Sequence, residues 1–196
     1  MAKQTPRNRN LRTTFVCLLT VAGLTAAAPP ARAGSPSPVG PAPAAAATVT
    51  LTGALAPGNR AADPFRAAVE GAVRRLETGE CAAVLRDFTD QLGRPLTARL
   101  DELGLSLPEL ARWVRFSPGF DEAPCRERSR AFAFTTPGCP VVRVCRPLVS
   151  LARTRPELAQ AVVIHEMLHS LGLGEGPPSS QEITARVTAR CFDGTD

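Results

Sequence analysis

The only two histidines of the chain, His165 and His169, share the pentapeptide His165-Glu166-Met167-Leu168-His169. Four residues apart on a helix, two imidazoles stand on one face a single turn apart, where their ring nitrogens can converge on one tetrahedral cation. Glu166 lies beside that face. A carboxylate there can take a proton from a water polarised by the metal and pass it to a leaving amine. The chemistry expected of the pattern is zinc-assisted hydrolysis, with His165 and His169 as ligands of Zn2+ and Glu166 as general base and acid.

Two imidazoles leave a catalytic zinc one protein ligand short, because such sites use three and keep the fourth position open. With no third histidine in the chain, a carboxylate is expected to complete the set. Glu175 is the first candidate. Gly172, between His169 and Glu175, can adopt the left-handed conformation that ends a helix and turns the chain back. Glu182 is the alternative third ligand, at the start of a last helix, where it also forms a capping box with Ser179.

The run His165-Glu166-Met167-Leu168-His169-Ser170-Leu171-Gly172-Leu173-Gly174-Glu175 resembles the long zinc-binding motif of metzincins, of the matrixin type in particular. Glu175 stands where those enzymes have a third histidine, and no methionine turn follows, since Met167 is the only methionine after residue 33. The resemblance implies a zincin metallopeptidase: zinc held by His165, His169 and Glu175, Glu166 as the catalytic residue, and a peptide or protein as substrate. A ligand at Glu182 resembles instead the gluzincin arrangement. Gluzincins commonly stabilise the oxyanion with a tyrosine or histidine, and this chain has no tyrosine. The zinc itself, a backbone N–H of an edge strand, or an arginine such as Arg143 or Arg146 is left for that task.

These residues need a scaffold that fixes them. Thr154-Arg155-Pro156-Glu157 reads as a helix start with Thr154 as N-cap, and the run Leu158 to Leu171 is apolar almost all round, which predicts a buried helix. Upstream, helices are expected over 63–78, 81–92, 95–103 and 108–116, each bounded by glycine or proline. Two short strands, 131–135 and 141–145, are joined by Thr136-Pro137-Gly138 into a hairpin that leads to the metal helix. A last helix runs from Glu182 to about Cys191. The fold class expected is α+β: a small zincin-like domain with a helix-rich N-terminal half, a short β-hairpin, the H-E-x-x-H helix and a C-terminal helix. An edge strand of the hairpin could hold an extended peptide beside the metal.

Composition bounds the setting. Residues 1–33 combine a basic leader, an apolar stretch and Ala31-Arg32-Ala33, and read as a signal peptide directing secretion or export to the periplasm. Residues 34–58 read as an Ala/Pro-rich flexible linker, and 59–196 as a single domain. Lys3, Arg7, Arg9, Arg12 and Arg32 leave with the leader, so 18 of the 23 basic side chains remain against 18 acidic ones. A chain without net charge offers no argument for nucleic acid or, after signal cleavage, for a membrane as partner. Export favours disulfides. Among Cys81, Cys125, Cys139, Cys145 and Cys191, two bridges and one odd thiol are expected, with Cys145–Cys191 and Cys81–Cys125 as the favoured pairs. The alternative to a secreted metalloendopeptidase is a non-catalytic zincin-like binding module that keeps a structural zinc.

Overall fold

The structure, a computed structural model, describes residues 49–126 and 131–193. The signal peptide expected over 1–33 lies outside them, as does most of the expected linker. In chain order the elements are β1 (Thr50–Leu51), α1 (Asp63–Leu76), α2 (Gly79–Ala82), α3 (Leu96–Glu102), α4 (Leu107–Trp113), β2 (Arg115–Pro118), α5 (Ala123–Arg126), β3 (Ala133–Phe134), β4 (Val141–Val144), α6 (Arg146–Thr154), α7 (Pro156–Ser170) and α8 (Ser180–Cys191). Helices and a small mixed sheet share one core, so the α+β class is observed.

Helix α7 is the axis around which the rest packs. Pro156 sits in its first turn, where a missing N–H costs nothing, and Glu157 complements the positive end of the helix dipole. Every residue from Ala161 to Ser170 is buried. Helices α1, α6 and α8 all pack against α7, and Arg75 Nε of α1 donates to Gln160 Oε1 of α7 at 3.0 Å. Each leucine, isoleucine or valine buried in this way contributes about 1.5–3 kcal/mol, which is enough to keep a helix carrying four buried polar side chains in the interior.

The strands are ordered β1-β2-β4-β3. Strand β2 runs parallel to β1 and β4, and β3 pairs antiparallel with β4. The hairpin is therefore present, with β3 as an edge strand. Val142 and Val144 alternate into the core, and the turn after β3 docks on the end of α7, where Gly138 N–H donates to His169 O at 2.9 Å.

The structure departs from the sequence-based expectations at several elements, in each case because a tertiary partner overrides a local pattern. Strand β1 lies inside the stretch expected to be linker; Thr52 N–H continues the pairing by donating to Phe116 O at 3.1 Å. The helix expected to reach Phe116 stops at Trp113, because Arg115 N–H bonds Pro140 O at 2.7 Å and the chain joins the sheet. The helix expected over 81–92 is α2 followed by one 3₁₀ turn ending at Arg86. Thr154 does not cap α7. It closes α6, an amphipathic helix in a stretch to which the sequence assigns no element, and Arg155 is the N-cap.

The disulfide pairing also differs from the expected one. Between described residues the bridges are Cys81–Cys191 and Cys125–Cys145. Helix α2 packs against α8, which brings Cys81 to Cys191. Gly119 N–H bonds Val144 O at 2.9 Å, so the segment that leads into α5 lies along the end of β4 and Cys125 meets Cys145. No described cysteine is a free thiol, so the expected odd thiol is not found among the described residues.

Candidate metal centre

Val162, His165, Glu166 and His169 form one stripe of α7 that lines a cleft of about 730 Å³. Their spacing is that of a single helical face. Ala131 to Thr135, from the edge strand and its approach, line the same cleft, together with Glu175, Ser180, Gln181 and Thr184.

The two imidazoles are buried and their Nε2 atoms lie 2.8 Å apart. Glu175 Oε1 lies 3.5 Å from His165 Nε2 and 3.4 Å from His169 Nε2, so these three residues converge on one point. They are the one group of histidine, cysteine and acidic side chains among the described residues that could hold a metal ion. The histidine side chains are 5% and 7% exposed, against 51% for Glu175. Two of the three side chains are thus set in the core and the third reaches in from a loop.

Both outer ring nitrogens are engaged. His169 Nδ1 lies 2.6 Å from Leu173 O. A carbonyl only accepts, so Nδ1 of His169 carries a proton, and the neutral ring has its lone pair at Nε2. His165 Nδ1 lies 2.9 Å from Thr184 Oγ1, a hydroxyl able to accept in the same way. In that tautomer two lone pairs and a carboxylate oxygen face one another with no proton between them. That donor set fits a divalent cation.

Glu166 completes the arrangement. Its Oε2 is buried with no hydrogen-bond partner, and burial, then the charge of Glu175, pushes its carboxyl up to about 8. Burial, then the charge of His169, pulls His165 down to about 4, with Glu175 acting in the opposite sense. His165 is therefore neutral at physiological pH, the form a metal requires.

The structure brings His165, Glu166, His169 and Glu175 together and leaves Glu182 outside. Glu182 Oε2 accepts from the backbone N–H and hydroxyl of Ser179 at 2.7 and 2.8 Å, and the Ser179 N–H is the first cause of its lowered pKa. It is a cap. Neither Arg143 nor Arg146 lines the cleft; Arg143 bonds Ser117 and pairs with Glu122, and Arg146 lies over the Phe120 ring. Thr184 and the Leu173 carbonyl were not anticipated from sequence. A single threonine within an amphipathic helix carries no mark of what it faces. No protein family model, curated protein or solved structure matches the chain.

Proposed function

We propose that this chain is an extracytoplasmic zinc-dependent metallopeptidase, with His165, His169 and Glu175 as metal ligands and Glu166 as the general base and acid. The observation that carries the reading is the convergence of two buried Nε2 atoms and a carboxylate beside the orphaned carboxylate of Glu166. A two-histidine, one-carboxylate set is a donor combination of catalytic zinc. Bound there, zinc supplies Lewis acidity toward a water and a scissile carbonyl.

The residues of the chain do the rest. His165 is steadied by Thr184 and His169 by Leu173 O, which keeps both lone pairs aimed inward. Glu166, poised near neutral pH by burial, accepts the proton of the attacking water and returns it to the leaving nitrogen as the C–N bond breaks. The edge strand β3 walls the cleft; its free side can pair with an extended peptide and hold the scissile bond over the ligands. Two disulfides suit an exported protein, and no helix among the described residues is long and apolar enough to cross a membrane.

One observation favours a second reading, a binding module with a structural zinc: among the described residues, no arginine, tyrosine or third histidine lines the cleft to assist an oxyanion. The test separates the two. Purified chain lacking residues 1–33 should carry one zinc and cleave members of a broad peptide library; Glu166→Gln should keep the zinc and lose at least about a thousandfold in turnover. Glu175→Ala should lower zinc content and Glu182→Ala should not. Zinc without cleavage selects the binding module, and absence of zinc from the wild type rejects both.

A further inference from the structure

The loop that delivers Glu175 has a partner remote in sequence. Asp90 is one of the few buried charged residues, at 8% exposure, and all its acceptor capacity is used locally. Its Oδ1 accepts from the N–H groups of Leu92 and Arg94 at 2.8 and 2.9 Å. Its Oδ2 accepts from Arg94 Nε and Nη2 at 2.8 and 2.7 Å. The backbone closes the same turn, with Asp90 N–H donating to Arg94 O at 2.8 Å and Gly93 N–H to Asp90 O at 3.0 Å. On the outer side Arg94 Nη1 bonds Glu102 of α3 at 2.6 Å. A fork-shaped guanidinium gripped by a buried carboxylate makes a stiff turn.

That turn lies directly against the ligand loop. Gln91 N–H donates to Gly172 O at 3.1 Å. Gly172 has φ +107°, and a Cβ added there would come within 3.1 Å of Asp90 Cβ. A Cβ on Gly174 would come within 3.0 Å of Gln91 Cγ. The contacts therefore fall on the two residues flanking Leu173, whose carbonyl holds the His169 ring, and Gly174 immediately precedes Glu175.

We propose that the turn Asp90–Arg94 is a brace for the metal centre: Asp90 is a positioning residue that stiffens the turn, and the turn sets both the Leu173 carbonyl and the approach of Glu175. This rests on the reading of His165, His169 and Glu175 as metal ligands. The brace touches neither metal nor substrate, and its effect reaches the site only through the backbone of residues 172–174.

The test uses Co2+ as the probe, with affinity measured by chelator competition and ligand geometry by the visible absorption bands. Asp90→Ala should weaken Co2+ binding by about 10- to 100-fold, the range for outer partners of metal ligands, and change the band intensities. Asp90→Asn keeps the Oδ1 acceptor and should recover part of the loss. Arg94→Gln, at a half-exposed side chain, should shift both readouts in the same direction and carries the test if Asp90→Ala does not fold. Leu55→Ala, a core truncation at a residue 1% exposed that is outside the ligand loop, should lower the melting temperature and leave both readouts unchanged. Wild-type affinity and spectrum in the Asp90 and Arg94 variants would overturn the brace while leaving the metal site intact, as would an equal shift in Leu55→Ala. A wild type that binds no Co2+ would overturn the metal reading and the brace with it.

Discussion

Helix α7 and the loop that follows it contribute to the same cluster by opposite means. The helix holds His165 and His169 as part of a core element packed by α1, α6 and α8, so their spacing is a property of helical geometry. The loop supplies Glu175, half exposed, at a place determined by a positive-φ glycine and by contacts with the Asp90 turn. A site assembled in this way has a rigid part and an adjustable part. The spacing of the histidines is set within the helix, whereas the carboxylate depends on segments more than eighty residues away in sequence, as the Gln91–Gly172 bond illustrates.

The contrast makes ordered predictions. Removing a helix-borne ligand should do the most: His169→Ala is expected to weaken zinc by two to three orders of magnitude, taking a per-ligand share of about 3–4 kcal/mol from structural zinc sites. Glu175→Ala should cost less, about one to two orders, because water can reach the place of a half-exposed carboxylate. Zinc competition titrations on the two variants compare them directly, and an equal or larger loss at Glu175 would erase the distinction between rigid and adjustable parts. Thr184→Val keeps the shape of the side chain while removing the partner of His165 Nδ1; about a tenfold loss is expected, and an unchanged affinity would show that packing alone orients the ring.

The smallest effect is on the metal-free protein, and it belongs to the helix side alone. His165 is lowered from 6.5 to about 4, so between those values the unfolded chain binds more protons and stability rises with pH. Glu166 is raised from 4.5 to about 8, so its contribution is complete below 4.5 and is lost as pH rises through 8. The two oppose each other over most of the acid range, and above pH 6.5 only Glu166 remains. The melting temperature of metal-free wild type should therefore fall between pH 6.5 and 8, and Glu166→Gln should flatten that slope. A fall of the same size in the glutamine variant would assign it to another group.

The parts of the centre that were legible in the sequence are those that depend on helical period. Two histidines in one pentapeptide, a proline-led start and an unbroken apolar run sufficed to place His165, Glu166 and His169 on one buried helix. The capping role of Glu182 was legible too, since Ser179 lies in the same local motif. What depends on long-range pairing was not. Arg115 and Phe116 read as the end of the preceding helix until β4 is beside them, and Cys81 has no local feature that prefers Cys191. Thr184 and Asp90 belong to this second class: each is an ordinary polar residue until the fold sets it against His165 or against the loop that carries Glu175.

The Cys81–Cys191 bridge, with a sequence separation of 110, encloses Asp90, His165, His169, Glu175 and Thr184 in one covalent ring. A loop of that size disfavours the unfolded chain by about 4–5 kcal/mol on loop-entropy grounds. It also changes what a backbone cut does. A single nick anywhere inside the ring opens it into a linear branch without releasing a fragment, so ligands on either side of the nick stay in one molecule. For a protein whose proposed chemistry is peptide hydrolysis, self-cleavage inside the ring would go unseen on a gel until the disulfide is reduced.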